Sequence, residues 1–244
     1  MSKLPLNLIV FSTTMGHGGR HTYEESINDL FGKFDPIFFA NRVLHLKTRN
    51  GEEEKAEEIK NFCSNLNIRV IETIEDIVHH SENHLSHSAG YFKDIYKAYS
   101  DLDLRKQKYS LWLEDDWLFN LRAISLKNAF KQSIKFLDDN PDQMCVRFNS
   151  AENFKKAERS IKKSHNFYTQ DLDYTQYGPT FTFQPNINRT SEIFVAWMAA
   201  QQLLDKLDTH HCELVSGAIL KNLTDSNTPF SFFNPKKIYS KHIG

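Results

Sequence analysis

Three carboxylates stand in a row at Glu114-Asp115-Asp116, directly after Leu111-Trp112-Leu113 and just before Trp117. Three adjacent acids repel one another unless something positive sits among them. A divalent cation is the natural neutraliser, because hard cations take carboxylate oxygens; Mg2+ or Mn2+ would also keep positions open for substrate phosphates. The apolar run before the acids reads as a buried strand, and in open α/β sheets ligands bind outside the carboxyl ends of strands. The alternative is a solvated acidic turn in which Asp115 or Asp116 caps the following helix.

Other groups offer weaker chemistry. His79, His80, His84 and His87 cluster in a polar stretch, and the spacing of His80 and His84 places two imidazoles on one helix face, as zinc sites do. His-Glu-x-x-His is absent and the neighbours are Ser, Glu and Asn, which favours a solvated loop. Gly16-His17-Gly18-Gly19 follows an apolar run and could cradle phosphate with backbone N–H groups. It matches neither GxGxxG nor a P-loop, so NAD and ATP are weak readings. No Gly-x-Ser-x-Gly elbow occurs, which argues against a hydrolase of that kind. Trp112, Trp117, Phe167, Tyr168, Tyr174, Tyr177, Phe181 and Phe183 supply flat rings. Most suit a core, but Tyr174 and Tyr177, set among Asp and Gln, suit contact with the apolar C–H face of a ligand.

The elements that must position these groups alternate through the first two thirds of the chain. Strands are expected over Leu6–Ser12, Arg42–Lys47, Ile68–Glu72, Tyr109–Leu113 and Met144–Phe148. Helices are expected over Tyr23–Phe31, Glu52–Leu66, the stretch from Tyr91 to Leu102, and Leu121–Leu137, from apolar residues three and four apart. Pro141 stops the last of these. Strands alternating with helices at this spacing imply βαβ units and an α/β fold: one open, mostly parallel, Rossmann-like sheet flanked by helices. Beyond residue 150 the pattern is less regular. A charged helix is expected over Glu152–Lys163, a strand over Phe181–Phe183, and helices over Ser191–Leu207 and Leu214–Leu223; the stretch from Pro229 shows no periodicity.

With 244 residues the chain suits one domain, a first half over 1–120 carrying the sheet up to the acids and a second half over 121–244. Its 40% hydrophobic and 25% charged residues are those of a globular protein. A formal net charge of −1 provides no global basic field for nucleic acid, so any anion must be held locally. Cys63, Cys145 and Cys212 lack CxxC spacing and read as core or idle thiols of a reducing compartment. No run approaches the roughly 18 apolar residues of a membrane span, and Met1–Phe11 reads as a first strand rather than a signal peptide. The expected setting is cytoplasmic.

An apolar strand running into an Asp-x-Asp or Glu-Asp-Asp triplet near mid-chain resembles the metal and nucleotide motif of GT-A fold glycosyltransferases, and the Glu-Asp-Asp form resembles that of some N-acetylglucosaminyltransferases. The opening strand with Thr13-Thr14, Arg20, Tyr23, Ser26 and Leu30 is similar to the first strand, nucleotide loop and helix of that fold. Phe183-Gln184-Pro185-Asn186-Ile187-Asn188-Arg189 is similar to a Phe-x-Pro-x-x-x-Arg segment found after the metal motif in some of these enzymes, and His242-Ile243-Gly244 to a closing His-Ile-Gly. The resemblance implies that Asp116 binds the metal directly, Glu114 through water, and His242 as a second protein ligand. It implies that Asp115 lies near the donor ribose, that Thr13 and Arg20 touch the nucleotide, and that Glu72 faces the base or ribose. One of the histidines of the His-rich loop, or Lys93 after it, could touch a phosphate, and Arg189 would join the acceptor contacts.

The activity so implied is transfer of a sugar from a nucleoside diphosphate sugar, a UDP-sugar first, to a saccharide or other hydroxyl acceptor. Inversion requires a base for the acceptor hydroxyl proton and positive charge on the departing diphosphate. Glu213, at the start of a helix in His210-His211-Cys212-Glu213, is the candidate base, with Glu192 and Asp173 in reserve. Glu213 could instead only complement that helix's dipole. Relatives more often show Glu-Asp there than Cys-Glu. Two other classes compete: a metal-dependent nucleotidyl- or phosphotransferase, and a non-catalytic module that binds a glycan or nucleotide sugar.

Overall fold

A computed structural model describes residues 6–16, 20–75, 102–148, 160–164, 166–170, 185–204, 230–233 and 240–243. Strand β1, Leu6–Thr13, is buried along all but its last residue. A strand apolar on both faces belongs inside a parallel sheet covered on both sides. Accordingly β1 lies between two parallel neighbours, β2 (Arg42–Arg49) and β4 (Tyr109–Glu114), with β3 (Arg69–Glu75) beyond β2. Two crossover helices, α1 (Tyr23–Lys33) and α2 (Glu53–Asn65), connect these strands. Their apolar stripes carry Ile27 and Leu30, and Ile59 and Cys63, onto Leu8, Val10, Leu44, Leu46, Leu111 and Leu113. Each such side chain taken from water contributes about 1.5–3 kcal/mol.

The rest of the sheet is mixed. Strand β5 (Trp117–Phe119) leaves the main sheet, and β6 (Cys145–Arg147) rejoins it after helix α4 (Ala123–Asp139). A short helix α3 (Leu102–Arg105) precedes β4, and helix α5 (Thr190–Leu204) follows β9 (Asn186–Arg189). Strand β9 runs antiparallel between β4 and β6. Strands β10 (Phe230–Phe233), β8 (Phe167–Gln170) and β7 (Ser160–Ser164) complete the order β3-β2-β1-β4-β9-β6-β10-β8-β7. Only β9 and β8 run against the others, so most strands share one direction. Strand β11 (Ser240–His242) pairs with β5 as a separate ribbon. One sheet thus takes strands from both halves of the chain.

The stretch expected to be a charged helix up to Lys163 is corrected at its end: residues 160–164 form β7, paired with β8. Pairing at a sheet edge supplies hydrogen bonds that no local window reveals, and it overrides helix propensity. The helix from Ser191 is found as α5. The strand at 181–183, the helix at 214–223 and most of the one from Tyr91 lie outside the described residues.

The second face of the sheet carries buried polar side chains, each needing a partner. Asn7 donates to the Leu104 carbonyl at 2.8 Å and to Ser110 Oγ at 3.2 Å, and accepts from Asn41. Ser110 in turn meets Thr190. Cys63 and Cys145 are free thiols that burial pushes up to about 12 and about 11, which keeps them protonated and inert.

At the amino end of β4, the Lys108 ammonium and the Tyr109 hydroxyl, the latter at 2.6 Å, hold Asp138 below the usual carboxylate range. A lowered folded value stabilises above the unfolded value of about 3.9 and is lost as pH falls through the folded one. Asp138 is about half exposed, so Asp138→Asn is expected to cost no more than about 1 kcal/mol at pH 7. Urea denaturation should show that difference shrinking as pH falls below the unfolded value of about 3.9.

Candidate functional site

β1 and β4 end side by side, with Phe11 opposite Glu114, so the turns that follow them share the carboxyl edge of the sheet. The turn after β4 is Asp115-Asp116. The Asp115 N–H donates to the Phe11 carbonyl at 3.0 Å, extending the β1–β4 ladder by one bond. Ser12 Oγ donates to Asp115 Oδ2 at 2.5 Å, and Asp115 is only 1% exposed. A hydroxyl on a buried carboxylate is a charge-assisted bond, and it holds this acid against β1.

Asp116 turns the other way. Its Oδ2 lies 2.7 Å from Nε2 of His242, 126 positions later in the chain. Pairing of β11 with β5 sets His242 opposite Trp117, and the Ile243 N–H donates to the Asp116 carbonyl at 2.8 Å. The Trp117 and His242 rings meet edge to face at 5.3 Å. The Asp116 carboxylate is buried while the imidazole is half exposed, so the pair communicates with solvent through His242. Helix α1 braces the ribbon: Ser26 Oγ donates to the Trp117 carbonyl at 2.8 Å, and Asp29 accepts the Phe119 N–H at 3.0 Å while pairing with Lys33.

The turn after β1 is pinned to β2. Thr14 Oγ1 accepts the Arg49 N–H, and the Thr14 N–H donates to the Lys47 carbonyl, both at 3.0 Å. Thr13 accepts the Met15 N–H at 3.3 Å on its hydroxyl. Gly16 has φ +63°, and a Cβ on it would lie 2.4 Å from the Arg20 carbonyl oxygen. Gly16→Ala must therefore move Arg20 as well as strain its own backbone. We expect about 1–3 kcal/mol of destabilisation, read by thermal denaturation.

Of the residues singled out from sequence, Asp115, Asp116, Thr13 and His242 gather at this edge. Glu114 ends β4 beside them. Among the described residues, no three His, Cys, Asp or Glu side chains close into a metal-binding group, so the pair Asp116–His242 is the convergent element. The 2.7 Å contact is itself a hydrogen bond; a carboxylate oxygen and an imidazole nitrogen are both donor types that a divalent ion such as Mn2+ accepts.

Arg20 spends its guanidinium on Glu25 at 2.8 Å and on the Ile243 carbonyl at 3.3 Å. Two expectations are corrected. Glu72 is not at the end of its strand, which runs to Glu75; it accepts from Thr48 at 2.6 Å and pairs with Lys60 of α2 at 2.7 Å, facing a helix rather than the edge. Arg189 is buried, and its Nε and Nη2 donate to the carbonyls of Gln143, Leu137 and Asn140. It closes the carboxyl end of α4, where a cation complements the helix dipole, rather than standing open at the edge. Lys93, Tyr174, Tyr177, Asp173, Glu213 and the His79–His87 cluster lie outside the described residues; Glu192 is half-buried in the first turn of α5. Sequence reasoning missed Ser12. Its only signal was its place one residue before Thr13, and its partner appears once β1 and β4 are paired.

Fold and site together define an α/β protein with an acid–histidine pair at the carboxyl edge of its parallel strands. No family model and no curated protein matches the chain. Similar solved structures include the inositol-1-phosphate CTP transferase from T. maritima (12% identity, 93% of this chain and 84% of that one, TM-score 0.45). They also include a glycosyltransferase involved in glycosylation of the major capsid of PBCV-1 (11%, 98% and 94%, 0.41) and S. aureus TarS 1-349 in complex with UDP (14%, 96% and 59%, 0.45). These are distant likenesses; the functional reading rests on the chain's own residues. No helix among the described residues is long and apolar enough to cross a membrane.

Proposed function

We propose that the chain transfers a sugar from a nucleoside diphosphate sugar to a hydroxyl of a saccharide acceptor, with a divalent cation at Asp116 and His242. The observation that carries this reading is the 2.7 Å approach of a buried carboxylate and an imidazole at the carboxyl edge of parallel strands. Ligands of open α/β sheets bind at that edge. One carboxylate and one imidazole leave most of the coordination sphere for donor phosphates, and the imidazole favours Mn2+ over Mg2+. When bound, the ion would neutralise charge on the departing diphosphate. Thr13 and Arg20 flank the edge where that diphosphate would lie, and Lys93 is a further phosphate contact. Asp115, fixed by Ser12, would lie toward the ribose. Glu114 would act through water.

Glu213 is the proposed base. It would take the proton of the acceptor hydroxyl as the acceptor oxygen bonds to the anomeric carbon and the bond to the diphosphate breaks with its electron pair, inverting the centre. Tyr174 and Tyr177 are the proposed acceptor contacts.

Calorimetric titration with UDP, GDP and CDP, each with and without Mn2+, tests the donor site. Metal-dependent binding of one nucleotide, UDP first, is expected. Heat only from a nucleoside triphosphate and a sugar phosphate would turn the reading to nucleotidyl transfer. Silence with all three at millimolar concentration would remove the metal-dependent donor site.

A further inference from the structure

Strand β11 is three residues long, yet it must bring a half-exposed imidazole to within 2.7 Å of Asp116. It is pinned at both ends. At one end Ser240 Oγ donates to the Phe148 carbonyl. At the other, both peptide groups of Ile243 are engaged: its N–H by the Asp116 carbonyl at 2.8 Å, and its C=O by Arg20 Nη1 at 3.3 Å. Arg20 is itself held at 2.8 Å by Glu25, in the first turn of α1. Its carbonyl lies close against Gly16, where a side chain would collide with it. Helix α1 therefore grips both strands of the ribbon. It holds β5 through Ser26 and Asp29, and Ile243, the residue after β11, through Glu25 and the Arg20 it pairs with.

We infer that Arg20 is a positioning residue for His242, holding the imidazole beside Asp116 through the Ile243 carbonyl. The functional part of this inference rests on the metal reading above; the mechanical part does not. Donor pairs tolerate little misplacement, since a site only about 1 Å too loose fails. An exposed Arg–Glu pair alone contributes little to stability. The consequence of losing Arg20 is therefore local, at the residue next to the imidazole.

Three readouts on the full chain test it. The first is amide hydrogen exchange at Ile243. The second is the NMR shift of the His242 ring protons, which the Trp117 ring edge-on at 5.3 Å makes sensitive to imidazole placement. The third is Mn2+ binding without nucleotide, followed by loss of the free-ion EPR signal. Arg20→Ala is expected to speed Ile243 exchange about threefold, to move the His242 ring shifts, and to weaken Mn2+ binding about threefold, the low end for one exposed hydrogen bond. Arg20→Lys, whose ammonium can still reach the carbonyl, should recover part of each. Glu25→Gln should give a smaller change than Arg20→Ala. Unchanged exchange and unchanged ring shifts in Arg20→Ala would overturn the inference. If the wild type binds no Mn2+, the metal reading falls, and the exchange and ring-shift measurements still decide whether Arg20 positions His242.

Discussion

Asp116→Ala should abolish metal-dependent nucleotide binding, with affinity lowered by at least about 100-fold. The carboxylate is the buried half of the pair and the hard oxygen donor, while His242 is half exposed. Removing it takes away the group that most favours a cation and leaves the imidazole facing a void. His242→Ala should be milder, about tenfold, because the carboxylate and the phosphates remain as ligands. Titration of Mn2+ and UDP into wild type and both variants measures the ranking. A second reading is thermal: an ion that binds only the folded chain stabilises it by mass action, by about 2.7 kcal/mol at 100 times Kd, and so raises Tm. Mn2+ should raise the Tm of the wild type and leave that of Asp116→Ala where it was. Asp116→Asn separates charge from shape, since the amide fills the same space and can still hydrogen-bond His242. If Asp116→Ala binds nucleotide and Mn2+ as the wild type does, the acidic turn is structural and the transferase reading is lost.

Arg189→Ala should destabilise the chain by roughly 3 kcal/mol, because hydrogen bonds to a charged group contribute about 1.5–3 kcal/mol each and part of the carbonyls' bonding remains. The guanidinium serves three carbonyls, those of Leu137, Asn140 and Gln143, where α4 ends and the chain turns toward β6. Without it those carbonyls are buried with fewer donors, at about 1–3 kcal/mol for each group left unsatisfied. Arg189→Lys should recover little, because an ammonium cannot reproduce the planar fork. Urea denaturation gives the loss directly. Nucleotide and Mn2+ affinities, measured where the variant is still folded, should not change, because Arg189 lies at the opposite end of β4, level with Tyr109. A normal midpoint together with a raised KM for acceptor would restore the acceptor role and overturn the structural one.

Two glutamates show where local reading stopped. Glu114 was legible because it ends an apolar run, and a strand end is visible in the pattern itself. Glu72 was misread because its strand continues through Thr73, Ile74 and Glu75, a stretch too short and mixed to announce its end. Its partner Lys60 sits one turn after Ala56, at the margin of the buried face of α2, and only packing of that helix on β2 and β3 brings the two charges within 2.7 Å. Arg189 illustrates the same limit. A cation near the end of a short motif looks available, and burial against a helix terminus is a property of the assembled chain.

The sequence alone determined strands β1 to β4 and β6 and helices α1, α2 and α4, because apolar spacing is a local record of which face is buried. It also determined the position of the acidic triplet at a strand's carboxyl end, and the candidacy of His242 came by resemblance. Tertiary structure decided the rest. Strand β9 inserts antiparallel between β4 and β6, β7 forms where charge suggested helix, and β11 crosses back to β5. Each depends on hydrogen bonds between segments distant in the chain, whose partners no window of sequence contains. The Asp116–His242 pair, the Ser12–Asp115 bond and the Arg20–Ile243 contact share that origin, spanning 126, 103 and 223 positions. Residue types say what chemistry is possible, but only pairing of β1 with β4 and of β5 with β11 brings those side chains within hydrogen-bonding distance.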